Sequence, residues 1–196
     1  MAKTARTLTT ALAVSATLLT ARGATASDAA ARATIVLHVD DFSGLPADDL
    51  NAAVTVAGRI FASAGIRTIW VYGRDRAPRA DGALHLTVLV LSKKMAERKI
   101  ANDLVDSNVL GQAASSCGRA YILSHRIKEL ATRNERRVGD LLGRVVAHEV
   151  GHLLLPENGH SPTGIMTSSL DLNTTALVAF TSEQTAAIRV RVASAN

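Results

Sequence analysis

Hydrophobic and polar residues alternate between two periods along this chain. Residues 34–39 (TIVLHV) are β-branched and apolar and read as a first strand. Turn formers fill residues 40–46, where Gly44 and Pro46 break any regular element. Leu50, Val54, Ala57 and Phe61 then recur at spacings of three and four, which predicts a helix over residues 47–64, stopped by Gly65. Residues 67–72 read as a second strand and 84–91 as a third, with a charged, Pro-containing loop at 73–82 between them. The near-continuous apolar run of the third strand predicts burial on both faces. Residues 92–116 carry charges first and Gly, Ala and Ser later, and no period dominates. Residues 119–123 read as a fourth strand, followed by a helix that includes Ile127 and Leu130.

The clearest helical pattern spans residues 139–155. Leu141, Leu142, Val145, Val146, Glu149 and Leu153 track one another around the cylinder, so part of this helix must be buried. Pro156 forbids regular continuation, and Glu157-Asn158-Gly159 reads as a turn. A last helix is predicted to start at Thr181 or Ser182, both suitable N-caps, with Ile188 facing inward. Strands interspersed with helices predict a mixed α/β fold: a small twisted sheet backed by helices, with one long helix beneath a cleft. No internal repeat divides it, and 196 residues suit one core.

The N-terminus changes this picture. Lys3 and Arg6 precede an uncharged, largely apolar stretch from Leu8 to Thr20, and Ala24-Thr25-Ala26 is a small-x-small cleavage pattern. Residues 1–26 therefore read as a removable export signal, leaving residues 27–196 as a single secreted domain. The apolar stretch is short for a bilayer, so no stable membrane insertion is expected. Most of the formal net charge of +5 belongs to Lys3, Arg6 and Arg22 in this segment, so the mature domain is close to neutral. That balance, with aromatics at only 3%, argues against nucleic-acid binding, which relies on cationic faces and stacking platforms. Cys117 is the only cysteine, so no intramolecular disulfide can form; it reads as buried or incidental.

The chemistry concentrates in His148-Glu149-Val150-Gly151-His152, an HExxH pattern inside the strongest helix. Residues four apart lie one turn above each other on a helix, so both imidazoles can ligate one metal from a rigid support. Glu149 projects about 100° from His148 and can take a proton from a metal-bound water without being a ligand itself. Zn²⁺ suits imidazole ligands and this hydrolytic use. His160 follows soon after the helix breaks and is a candidate third ligand. Gly164-Ile165-Met166, a turn ending in methionine, comes six residues beyond it.

In this order of parts, residues 146–167 (VAHEVGHLLLPENGHSPTGIMT) resemble the metzincin metallopeptidases, most closely their matrixin-like branch. The resemblance implies zinc held by His148, His152 and His160, Glu149 as general base, and Met166 beneath the metal as a packing floor. It also implies a protein or peptide substrate. The pattern departs from the family in its spacing. The family places a glycine three residues after the second histidine and a third histidine six after it; here those positions are Leu155 and Asn158. Either a longer loop still carries His160 to the metal, or Glu157, Asp171 or Glu183 takes its place.

Other residues read more blandly. His38, His85 and His125 have no motif around them and read as strand or surface histidines. Tyr72 and Tyr121 are possible transition-state hydroxyls, but no spacing points to either. Residues 119–123 are the expected sheet edge for an extended peptide, bound by strand addition. The competing reading is a non-catalytic zinc-binding module. Such a structural site normally has a fourth protein ligand and no use for Glu149.

Overall fold

The computed structural model describes residues 33–73, 82–103, 108–156, 159–172, 174 and 176–195. Residues 1–26, read as an export signal, lie outside these residues, as do Glu157 and Asn158. The elements run β1 (Thr34–Asp41), α1 (Ala47–Ser63), β2 (Arg67–Tyr72), β3 (Leu84–Leu91), α2 (Lys93–Asp103), β4 (Gly111–Ala114), β5 (Arg119–Leu123), α3 (Ser124–Arg133), α4 (Val138–Leu154) and α5 (Ser182–Ala193). The strands form one sheet in the order β2-β1-β3-β5-β4. β1 pairs in parallel with β2 and β3, and β3 with β5. Only β4 runs antiparallel, along β5. The mixed α/β class read from the pattern is the one observed.

Two helices share the core with the sheet. α1 and α4 make the most extensive contact between any two elements, and they meet at glycines. A β-carbon at Gly139 would stand 2.6 Å from the Asp49 carbonyl oxygen, and one at Gly143 would stand 2.6 Å from that of Ala53. These two small positions, one turn apart, let the helix axes approach. Leu141, Leu142, Val145, Val146, Leu153 and Leu154 of α4 are buried with Ile35 and Leu37 of β1 and Ile60 and Phe61 of α1. Each such side chain contributes roughly 1.5–3 kcal/mol of burial. α1 ends where expected, with Gly65 at φ +73.

Three expectations need correction. β3 buries Leu86, Val88, Val90 and Leu91 but leaves Leu84, Thr87 and Leu89 half-buried and His85 exposed. One face is covered along its length; the other is covered mainly where Leu91 meets Ala96 of α2 and Leu123 of β5. The illegible stretch 92–116 contains both α2 and β4. Ala96 is the one buried residue of α2, so its apolar stripe is too narrow to show in the sequence. β4 reads Gly-Gln-Ala-Ala, without a β-branched residue, and is a strand because β5 pairs with it. That pairing makes Arg119–Leu123 interior, so the edge strand on this side is β4. Cys117, in the turn between β4 and β5, is exposed rather than buried.

Candidate metal centre

α4 places His148, Glu149 and His152 within its last two turns, before Leu155 turns extended ahead of Pro156. His152 Nε2 lies 3.1 Å from His148 Nε2 and 3.1 Å from His160 Nε2. The longer loop thus brings His160 back to the two helical histidines. One N–H on His152 can serve only one of these two neighbours, so hydrogen bonding does not account for the cluster. Imidazole nitrogens holding one zinc at 2.0–2.1 Å in tetrahedral geometry stand about 3.3 Å apart, close to both separations from His152. Among the described residues, these three are the group of His, Cys, Asp and Glu side chains able to hold a metal ion, with ligand atoms within 4.8 Å of one another. Asp171 and Glu183 do not join them.

The surroundings favour neutral imidazoles presented through Nε2. His148 Nδ1 lies 2.8 Å from the Ile165 carbonyl oxygen and donates to it, which leaves the Nε2 lone pair free for a cation. Burial lowers the pKa of His148, with the Ile165 hydrogen bond acting in the opposite direction and the His160 charge adding to the drop. Burial, with His148 and His160 nearby, takes His152 down to about 4.

Glu149 points the other way, against β4. It is 7% exposed, and Gly111 is what makes room for it: a β-carbon there would stand 2.6 Å from Glu149 Cγ and 2.7 Å from Oε1. Burial pushes its carboxyl up to about 8, partly offset by a hydrogen bond from the Ala113 backbone N–H. Burial alone keeps the carboxyl mostly protonated at neutral pH, and a cation held by the three imidazoles of the same cleft would lower its pKa and make it a proton acceptor for water. His148, Glu149, His152 and His160 line a cleft of about 1550 Å³ together with Gly111 and Ala113 of β4.

Met166 is fully buried beneath this helix. A β-carbon at Gly151 would stand 2.5 Å from Met166 Sδ and 3.0 Å from Phe180 Cε1, so the methionine packs directly on α4 between the two histidine turns. The turn that carries it needs Gly164, which sits at φ +84 with the Ala179 carbonyl oxygen 2.6 Å from where a β-carbon would be.

The remaining titratable candidates lie apart from the cluster or play no visible part in it. His38 Nε2 is 2.9 Å from His85 Nδ1, and the rings stack across β1 and β3. His125 borders the cleft, but its Nδ1 is buried without a partner among the described residues. Tyr121 lies under Lys99 Nζ at 3.9 Å, and neither it nor Tyr72 borders the cleft. Sequence reasoning missed Gly111, Ala113 and Gln184. Only Gln184 left a trace: Thr181 and Gln184 have capping-box spacing, and the box is formed.

No protein-family model and no curated protein matches the chain. Among solved structures, a zinc-dependent peptidase from Methanocorpusculum labreanum (strain Z) is similar at a TM-score of 0.40 and 14% identity, over 80% of this chain and 99% of that one. A likeness this distant carries neither fold nor chemistry across.

Proposed function

We propose that this chain is an exported, zinc-dependent metallopeptidase of metzincin-like, matrixin-like type that cleaves proteins internally. The observation that carries the reading is the convergence of His148, His152 and His160 through Nε2, with buried Glu149 lining the same cleft. His148 and His152 supply two ligands from one rigid helix, and the loop after Pro156 supplies the third. These three imidazoles would hold a zinc ion, which would supply Lewis acidity to a water and to the scissile carbonyl. Glu149 would accept the proton of that water and return it to the departing amine, the nearby cation lowering a carboxyl that burial alone holds near 8. Gly111 and Ala113 hold the carboxylate in place from β4. The outer edge of β4 borders the same cleft, so an extended substrate would add as a strand beside it.

The deciding experiment separates metal from chemistry. The purified domain should contain about one equivalent of zinc. His148→Ala and His152→Ala should lose most of it, and His160→Ala should weaken its binding. Glu149→Gln should keep the zinc yet hydrolyse an unstructured protein at least ~10²-fold more slowly. A zinc-replete wild type that cleaves nothing in a broad peptide library would overturn the peptidase reading while leaving the metal site standing.

A further inference from the structure

We propose that Gln184, on a different helix and 24 residues along the chain from His160, is the positioning residue for the third histidine. Its side chain is 8% exposed, and both ends of its amide are engaged. Oε1 accepts from the Thr181 backbone N–H at 3.0 Å, which is half of the capping box that starts α5. Nε2 donates to the Gly159 carbonyl oxygen at 3.1 Å and to Ser161 Oγ at 3.0 Å. The amide can face only this way. Thr181 N–H requires an acceptor, and the Gly159 carbonyl requires a donor.

The two acceptors flank His160. Ser161 is also tied to the methionine turn, its N–H to Met166 O at 2.9 Å and its Oγ to Thr163 O at 2.7 Å. One amide thus connects the start of α5, both neighbours of His160 and the turn under α4. The His160 side chain itself is exposed, and among the described residues the one neighbour within hydrogen-bond range of its ring is His152. Its placement therefore depends on backbone held from Gln184. A loop that must be ordered when the metal arrives binds it less tightly than one already ordered, because the ordering entropy opposes binding. Groups that orient ligands from outside the coordination shell typically alter metal affinity by 10–100-fold.

This inference rests on the three-histidine metal reading, and Gln184→Glu tests it without removing the cap. Glutamate keeps an oxygen for the Thr181 N–H and is itself the favoured capping-box residue. It replaces the donor facing Gly159 with an acceptor. Zinc dissociation constants, by competition with a chromophoric chelator, and melting temperatures of the metal-free protein would be measured for each variant. Gln184→Glu should bind zinc about 10–100-fold more weakly than wild type with the metal-free melting temperature preserved. Gln184→Met, which removes both ends at similar volume, should also weaken zinc. Thr181→Ala, which leaves the amide's loop contacts alone, should lower the melting temperature and leave zinc affinity within about twofold. In a His160→Ala background, Gln184→Glu should have no further effect on affinity. Wild-type zinc affinity in both Gln184 variants would overturn the proposal, as would equal weakening in the His160→Ala background. Equal affinities for wild type and His160→Ala would instead refute His160 as a ligand, and Gln184's positioning role with it.

Discussion

The side chain of Glu149 rests on the backbone of Gly111, so closely that a β-carbon at 111 would be 2.6 Å from its Cγ and 2.8 Å from its Cδ. An edge strand with no side chain at this point is what leaves room for a buried carboxylate in the cleft that the histidines line. Gly111→Ala should therefore push the carboxylate out of place while leaving the zinc ligands alone. Misplacement of a catalytic group by about 1 Å costs on the order of 10²-fold in rate. The expected result is full zinc content with kcat/KM reduced about 10–100-fold, read from peptide hydrolysis with metal analysis of each sample. Unchanged kinetics would mean that Glu149 is not positioned by β4.

Gly151 and Met166 form the second tight contact. A methyl group at 151 overlaps Met166 Sδ at 2.5 Å, and overpacking of this kind typically costs about 1–3 kcal/mol. Gly151→Ala should lower the melting temperature of the metal-free domain by several degrees. Met166→Ala should lower it further by leaving a cavity, at about 2–5 kcal/mol. Combining the two should restore part of the loss, because the added methyl enters the vacated space. Thermal denaturation followed by circular dichroism checks the sign of this coupling.

The α1–α4 seam gives a prediction remote from the chemistry. Gly143→Ala places a methyl group 2.6 Å from Ala53 O and 2.7 Å from Val56 Cβ, against backbone that cannot step aside without separating the helices. Gly143→Val should be worse. Both should reduce stability by about 1–3 kcal/mol or more, measurable in urea, with zinc stoichiometry unchanged in the fraction that remains folded.

The metal-free domain should show a pH dependence that Glu149 reports. Its pKa rises from 4.5 to about 8 on folding, so its contribution to stability is fully present below pH 4.5 and is lost as pH rises through about 8. His152 runs oppositely. Its pKa falls from 6.5 to about 4, so its contribution is present above pH 6.5 and is lost as pH falls through 4. Metal-free Glu149→Gln should thus melt several degrees above metal-free wild type at pH 8, at about 2–4 °C per kcal/mol. The gap should close towards pH 4.5. A constant gap across this range would show that Glu149 ionises freely in the folded protein.

Export is tested by mass. The cleavage pattern Ala24-Thr25-Ala26 sets an expected mature N-terminus near Ser27. Intact mass and N-terminal sequencing of protein recovered outside the cell should give that residue. Full-length chain retained in the cytoplasm would refute the signal reading.

What the sequence determined by itself is what one helical turn or one strand can encode. The histidines at 148 and 152 share a face because of the 3.6-residue repeat, wherever the helix is packed. The burial of Leu141, Leu142, Val145, Val146 and Glu149 follows from the same period, and α5 starts at Thr181, one of the two N-caps read there. Four of the five strands were legible because their apolar runs are dense enough to stand without their neighbours. Tertiary structure decided the rest, where the cause lies far along the chain. β4 has no strand propensity of its own and exists through its pairing with β5, so neither the edge nor the bed of Glu149 at Gly111 could be read locally. That His160, rather than Asp171 or Glu183, stands with the two helical histidines depended on where an irregular loop returns. That return is held by a glutamine 24 residues away and by the Met166 turn packed under Gly151. A spacing rule describes a segment; the convergence of three imidazoles is a property of segments brought together by a core, and only the folded chain contains it.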